Sequence, residues 1–385
     1  MADKKVVLKG ITWNHSRGLV PMVATAQRFS ELNPGIDIIW EKRSLQQFAD
    51  FSIDQLAERY DLLVIDHPWA GFAARTNTIL PLDNYLSKTF IEDQKENSVG
   101  ASFESYCYEG HQWAMAIDAA TPVASSRPDI LQQKNLSLPE NFDQLLQLAS
   151  KGLVGFAGIP IDLLMAFYMF CCSLGEDPCA KEDVVVSEAV GLEAMKMFRS
   201  LVQKIHPDFF NRNPIAVYEA MTSTDEIAYC PFAYGYSNYS RRGYARKILH
   251  FHDLVTFSAG IKASSTLGGT GLAVSAKCSN IGEAMHYVEY VASGECQRTL
   301  FFDNGGQPGH LAAWKDEYVN SQCENYFLAT LPALQRAFLR PRYHGSMQFQ
   351  DHAGDPVRDY LLHGGDERKL LAKLNELYIT SKTTK

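Results

Sequence analysis

Apolar and polar positions along the first sixty-five residues switch between a period of two and a period near 3.6. Residues 6–11 form a short, largely apolar stretch that reads as a strand. Over 19–32, Val23, Ala26, Phe29 and Leu32 recur at helical spacing, Pro21 is tolerated in the first turn, and Asn33-Pro34-Gly35 stops the helix. Ile36, Ile38 and Trp40 alternate with Asp37, Ile39 and Glu41 in a second strand, and residues 45–60 read as a second helix. Leu62-Leu63-Val64-Ile65 is apolar throughout, as a strand buried on both faces of a parallel sheet must be. Alternating strands and helices predict an open α/β sheet, which takes its ligands at the carboxyl ends of its strands.

The pattern continues further along the chain. Residues 113–124 read as a strand leaving the first lobe, and 191–205 as an amphipathic helix with Ala194, Met197, Phe198, Leu201, Val202 and Ile205 on one face. Residues 264–308 read as a glycine turn (Leu267-Gly268-Gly269-Thr270-Gly271), a strand (Leu272-Ala273-Val274), a helix and a second glycine turn reaching Pro308. In that helix Ile281, Ala284, Met285, Val288, Val291 and Ala292 share one face. The remainder to residue 385 reads as helical. No internal repeat or low-complexity segment interrupts the chain.

The order glycine pair, strand, helix and Gly-x-x-Pro loop (Gly305-Gly306-Gln307-Pro308) closely resembles the bacterial extracellular solute-binding proteins of family 1, the ligand-capture subunits of ABC importers. Residues 113–118 are similar to that family's YGLP…D crossing segment. Pro139-Glu140-Asn141-Phe142-Asp143 resembles its P-x-TW-xEL helix entry. Residues 229–239 resemble its AM…G-x-W segment, with tyrosine in place of tryptophan. The resemblance implies an α/β, periplasmic-binding-protein-like clamp of type II, made of two mixed α/β lobes. Residues 1–118 and 250–310 would form the first lobe, and 119–249 and 311–385 the second. Hinges would lie near 116–120, 248–252 and 308–312. It implies capture of a small polar organic molecule, sugar-like or an organic acid, in the cleft between the lobes, with no catalysis and no cofactor. An ABC permease would be the partner if the protein is exported. The alternative is a cytosolic metabolite-binding or sensing protein, or an enzyme, built on the same fold.

Composition narrows the classes. A chain of 385 residues exceeds a single core of usual size, which favours two domains. A formal net charge of −8 argues against nucleic acid or anionic lipid as a partner. The longest apolar run, 163–172, is too short to span a bilayer, so no direct membrane insertion is expected. Nothing suggests assembly, and a monomer is expected. Residues 1–10 lack the basic start, apolar run and cleavage site of a secretory signal. The eight cysteines form no CxxC pair and read as structural thiols. Both observations point to the cytoplasm, with a periplasmic location as the alternative if a presequence has been removed.

Candidate chemistry sits at the predicted strand ends. The loop Trp13-Asn14-His15-Ser16-Arg17 opens a helix N-terminus, where unpaired N–H groups favour electron-rich ligand groups. Trp13 can stack on a ring, Asn14 can donate and accept, and Arg17 can grip a carboxylate or sulfonate. Asp66, His67 and Trp69 leave the wholly apolar third strand. Asp118 ends the crossing segment, and Gly268 and Gly269 permit close backbone approach. Tyr234 and Tyr236 supply aromatic faces and hydroxyls from the second lobe. Arg43 is a weaker candidate. His250-Phe251-His252-Asp253 has metal-like spacing, but strand alternation alone puts both histidines on one face, so no metal site is assigned. The Gly268–Gly271 stretch lacks the Lys-Ser/Thr of a phosphate-binding loop.

Overall fold

The computed structural model describes residues 5–44, 52–258 and 260–383. They divide into two compact units. The first comprises the described residues of Met1–Ala120, Gly268–Val319 and Arg342–His344; the second comprises those of Thr121–Leu267, Asn320–Pro341 and Gly345–Lys385.

The first unit is built on a five-stranded sheet. Its spatial order is Ile36–Arg43, Val6–Trp13, Leu62–Ile65, Gly268–Val274 and Met115–Ala120. The first three strands are parallel, with Val6 opposite Ile36 and Ile11 opposite Leu63. Gly268–Val274 then runs antiparallel to both Leu62–Ile65 and Met115–Ala120. All four residues of Leu62–Ile65 are buried, as expected for a strand in the middle of a sheet covered on both faces. Helix Ser16–Leu32 buries Met22, Ala26 and Phe29, and helix Ile281–Ala292 buries Ala284, Met285, Val288 and Val291. The two helices meet where the Phe29 and Tyr287 rings pack edge to face at 5.3 Å and Thr25 Oγ1 lies 2.9 Å from the Tyr287 hydroxyl.

Two local readings change here. The glycines expected to turn at 268–271 instead open the Gly268–Val274 strand, whose pairing with Met115–Ala120 shifts register between Thr270 and Gly271. Gly269 takes a φ of +107°, and a Cβ there would stand 2.2 Å from the Asp118 carbonyl oxygen. Close backbone contact, rather than reversal of the chain, is what glycine serves at this point. Of the helix expected over 45–60, residues 45–51 lie outside the described residues; the helical part described is Ile53–Ala57.

The second unit carries a three-stranded antiparallel sheet in the order Tyr229–Tyr234, Pro122–Ser126, His250–His252. The single strand read over 113–124 is therefore two, Met115–Ala120 in the first unit and Pro122–Ser126 in the second, with the chain changing unit at Thr121. Helix Pro160–Ser173 is buried almost all round, and its Phe170 ring meets Phe142, Phe198, Phe232 and Phe257 at 4.9–5.9 Å between centroids. Helix Ser346–His363 lies close against it because Gly354 faces the Pro160 carbonyl, which a Cβ would approach to 2.4 Å. Helices Glu188–Val202 and Glu367–Lys382 complete the layer. Among the described residues no helix is long and apolar enough to cross a membrane.

Candidate functional site

The sheet of the first unit brings distant segments to one edge. Val6–Trp13 and Leu62–Ile65 are parallel neighbours, so Trp13 and Ile65 end on the same side. Asp118 sits opposite Thr270, and Gly268 and Gly269 lie opposite Ala120 and Ala119. The antiparallel strand thus starts where the others finish. This is the carboxyl edge at which open α/β sheets place their ligands.

At that edge Trp13, His15, Arg17 and Asp118 form one cluster. The Trp13 and His15 rings stack at 5.3 Å and 11°. The Arg17 guanidinium carbon lies 5.8 Å from the Trp13 ring centroid. Gly18 lets the indole lie flat on the helix start, since a Cβ there would come within 2.4 Å of it. His15 is the N-cap, with Nδ1 accepting from the Arg17 N–H at 3.0 Å. That bond requires an unprotonated Nδ1; accordingly, burial, aided by the nearby Arg17 charge, lowers the His15 pKa to about 4. Asn14 is exposed and donates its backbone N–H to the Arg43 carbonyl at 2.7 Å.

Arg17 and Asp118 pair in a fork. Nε donates to Oδ2 at 2.7 Å and Nη2 to Oδ1 at 2.5 Å, and both side chains are only 4% exposed. Burial pushes the Asp118 carboxyl upward, against the pull of Arg17 and of the Thr270 backbone N–H. The guanidinium, read from sequence as a grip for a ligand anion, is matched by a carboxylate of the chain itself.

Asp66, His67 and Trp69 form the turn after Leu62–Ile65. Asp66 Oδ1 accepts the His67 backbone N–H at 2.8 Å and caps the turn His67–Trp69. The His67 ring is fully buried and meets Tyr106 edge to face at 6.2 Å. Tyr106 in turn donates its hydroxyl to the Ile65 carbonyl at 3.1 Å. Trp69 is largely buried and packs edge to face on Phe72 at 5.3 Å.

In the second unit Tyr234 ends the Tyr229–Tyr234 strand opposite Pro122 and stays partly exposed, with its hydroxyl 3.3 Å from Thr266 Oγ1. Tyr236 is buried and leans on Tyr218 at 6.3 Å, inside a cluster that also holds Tyr239 and Phe251. The HxHD stretch is engaged by protein groups: His252 Nε2 lies 2.8 Å from Ser126 Oγ, and the Asp253 carboxylate takes the Arg336 fork. Among the described residues no group of three or more His, Cys, Asp or Glu side chains could hold a metal ion.

One residue at a strand-end depression of the second unit escaped the sequence reading. Asp162 lines it together with Pro122, Phe232 and Tyr234. The available signal was a lone charge in the otherwise apolar helix Pro160–Ser173.

No family model matches the sequence. Solved structures do match along almost the full chain. Maltose-bound MalE3 of T. maritima superposes with a TM-score of 0.84 at 16% identity, covering 97% of this chain and 99% of that one. An ABC transporter solute-binding protein of Agrobacterium radiobacter K84 in complex with ribitol gives 0.81 at 18% identity, covering 99% of each chain. The GacH receptor of Streptomyces glaucescens, solved unliganded and with acarbose, gives 0.78 at 18%, covering 99% and 100%. The chain has the fold of these proteins, the periplasmic-binding-protein-like type II fold of mixed α/β lobes expected from the sequence.

The same matches correct the expected location. The matched solute-binding proteins are periplasmic or extracytoplasmic, which overturns the expected cytoplasmic placement. Its cysteine argument fails on a physical ground. Five of the eight thiols are buried, and burial shields those five from oxidants whatever the compartment.

Proposed function

We propose that this chain is a solute-binding protein that captures a small, neutral, polyhydroxylated molecule and presents it, chemically unchanged, to an ABC permease. The observation that carries the ligand class is the Arg17–Asp118 fork. The cation at the first unit's strand edge is matched by an internal carboxylate at 2.5–2.7 Å. An organic acid would have to compete with that carboxylate, whereas a hydroxyl-bearing ligand need only meet ring faces and hydrogen-bonding groups. Maltose, ribitol and acarbose, the compounds bound to the three proteins compared above, are of this kind.

The candidate contacts in the first unit are Trp13, Asn14, His15, Arg17, Asp66, His67, Trp69, Asp118, Gly268 and Gly269; in the second they are Tyr234 and Tyr236. Thermal-shift screening against alditols, mono- and disaccharides and organic acids tests the class. A true ligand at a hundredfold excess over its Kd adds about 2.7 kcal/mol to apparent stability. A neutral sugar or alditol is expected to raise Tm and to be recovered unaltered by mass spectrometry. Stabilisation by organic acids alone, or conversion of the bound compound, overturns the reading.

A further inference from the structure

The five-stranded sheet of the first unit ends on Ile36–Arg43, which among the described residues has a neighbouring strand on one side only. It runs in continuous register along Val6–Trp13 and contains no proline. Gly35 and Arg43 direct their carbonyls at the N–H groups of Val6 and Asn14. Alternation therefore turns the N–H and C=O groups of Ile38, Trp40 and Lys42 outward. A long edge of this kind is a template for pairing unless it is blunted. Apolar surface flanks it on both faces of the sheet. On one face a groove of about 340 Å³ separates the edge from helix Ser16–Leu32, with Val23, Ala26, Ile38 and Trp40 among its lining. Val20 and Val23 on that helix are 43% and 49% exposed. With Gln27 and Ser30 they form one stripe that carries no charge. On the other face Ile39 is 54% exposed.

We propose that this edge is a dimer interface at which two copies of the chain pair Ile36–Arg43 antiparallel about a two-fold axis, Trp40 lying opposite Trp40 of the second copy. A two-fold axis normal to a sheet preserves its faces, so even-numbered residues can oppose only even-numbered ones. That condition sets Ile38, Trp40 and Lys42, the residues with outward hydrogen-bonding groups, against one another. Charge then selects the register. Centring the pair on Ile39 opposes Asp37 to Glu41, and centring it on Asp37 or Glu41 opposes that acid to itself. Centring on Ile38 makes no charge pair, whereas centring on Trp40 opposes Asp37 to Arg43 at both ends. Burial lowers the Arg43 pKa to about 10, so a carboxylate facing it is stabilising.

The helices fit the same axis. Helix Ser16–Leu32 packs on Ile36–Arg43. Paired strands lie about 4.8 Å apart and packed helices about 8–10 Å, so the two copies of this helix come side by side and each fills the other's groove. Their facing stripes hold no charge to repel its own image. A second copy thus supplies the strand edge, the opposite charges and the helix stripe from one surface. This assembly takes the place of the monomer expected from the sequence, and it stands independently of the solute-binding reading.

Sedimentation equilibrium on the full chain between about 1 and 200 µM tests the proposal. Wild type is expected to be mainly dimeric at the upper end. Val23→Lys, which faces its own image, and Ile39→Glu, which faces Glu41 of the second copy, should each weaken the dimer at least about tenfold. Ile39→Lys should not, because its ammonium meets that same Glu41. All three positions are exposed in the single chain, so Tm at about 1 µM should match wild type. Under mild oxidation a mixture of Ile39→Cys and Glu41→Cys should cross-link at least about tenfold faster than either alone, since directly opposed residues come within disulfide reach. Wild type, oxidised alike, should give no cross-linked dimer.

A wild type that stays monomeric at the upper end overturns the proposal. Amide exchange then shows what holds the edge: slow Ile38 and Trp40 amides give it to a segment of the same chain, and fast ones leave it to a partner of another kind. A dimer that Val23→Lys and Ile39→Glu weaken less than about twofold lies on another surface and overturns the proposal too. Ile39→Cys cross-linking to itself faster than to Glu41→Cys overturns the register. Where a charged variant lowers Tm in the dilute chain, the cysteine pair, which adds no charge, decides.

Discussion

Arg17→Met isolates the cost of the buried fork. Methionine keeps an unbranched stem beside Trp13 but leaves the Asp118 carboxylate, 4% exposed, without its guanidinium. Removing one partner of a buried pair typically costs about 3–5 kcal/mol, because the remaining charge is uncompensated. All five tryptophans, Trp13, Trp40, Trp69, Trp113 and Trp314, belong to the first unit. Urea unfolding followed by tryptophan fluorescence therefore reports that unit, and the full loss is expected at pH 8. The deficit must shrink with acid. Burial already raises the folded pKa of Asp118, and removing Arg17 raises it further. Between an unfolded pKa near 3.9 and the raised folded value, the folded state holds the extra proton. The variant's stability then falls as pH rises, by about 1.4 kcal/mol per pH unit at most, and recovers as pH is lowered. The double variant Arg17→Met/Asp118→Leu should return to within about 1 kcal/mol of wild type, or exceed it. A loss below about 1 kcal/mol at pH 8, or a loss equal at pH 5 and pH 8, would refute the description of the fork as a desolvated ion pair.

Two further substitutions probe the same edge, with the same fluorescence readout. Gly269→Ala places a Cβ 2.2 Å from the Asp118 carbonyl oxygen at a φ of +107° and is expected to cost at least about 2 kcal/mol; a cost below 0.5 kcal/mol would contradict the close approach. His15→Asn keeps a capable N-cap but removes a side chain whose folded pKa is depressed to about 4. Wild type should lose up to about 3 kcal/mol as pH falls from 6.5 toward 4, because the unfolded histidine takes the proton first. The variant's acid limb should be flatter by that amount, and parallel limbs would show that His15 is not buried as a neutral base.

The sequence was most legible where one face of an element is buried. Of the face read on the first helix Ala26 and Phe29 are buried, but Val23 and Leu32 are exposed and Met22 takes the core position instead; on the other helix Ala284, Met285, Val288, Val291 and Ala292 are buried as their spacing implies. Helix Glu188–Val202 begins three residues before the start read from its pattern, because its first turn follows Ser187 rather than the apolar stripe. Periodicity fails for Pro160–Ser173. A helix buried on every side has no polar face to mark its phase, so an apolar run was all that could be read there. It fails differently at Gly268–Val274, where three glycines suggested a turn but Gly269 and Gly271 serve close contact with Asp118 and Tyr106 inside a sheet.

Strand ends could be located from sequence because their position follows from alternation. The partners that neutralise charges at those ends could not. Arg17 and Asp118 stand 101 residues apart, and each looked like a separate ligand contact until the Gly268–Val274 strand, set between Leu62–Ile65 and Met115–Ala120, brought Asp118 to the edge that carries Arg17. A charge matched within the fold is already satisfied before a ligand arrives, so the partner, which the local pattern cannot supply, decides what Arg17 has left to offer.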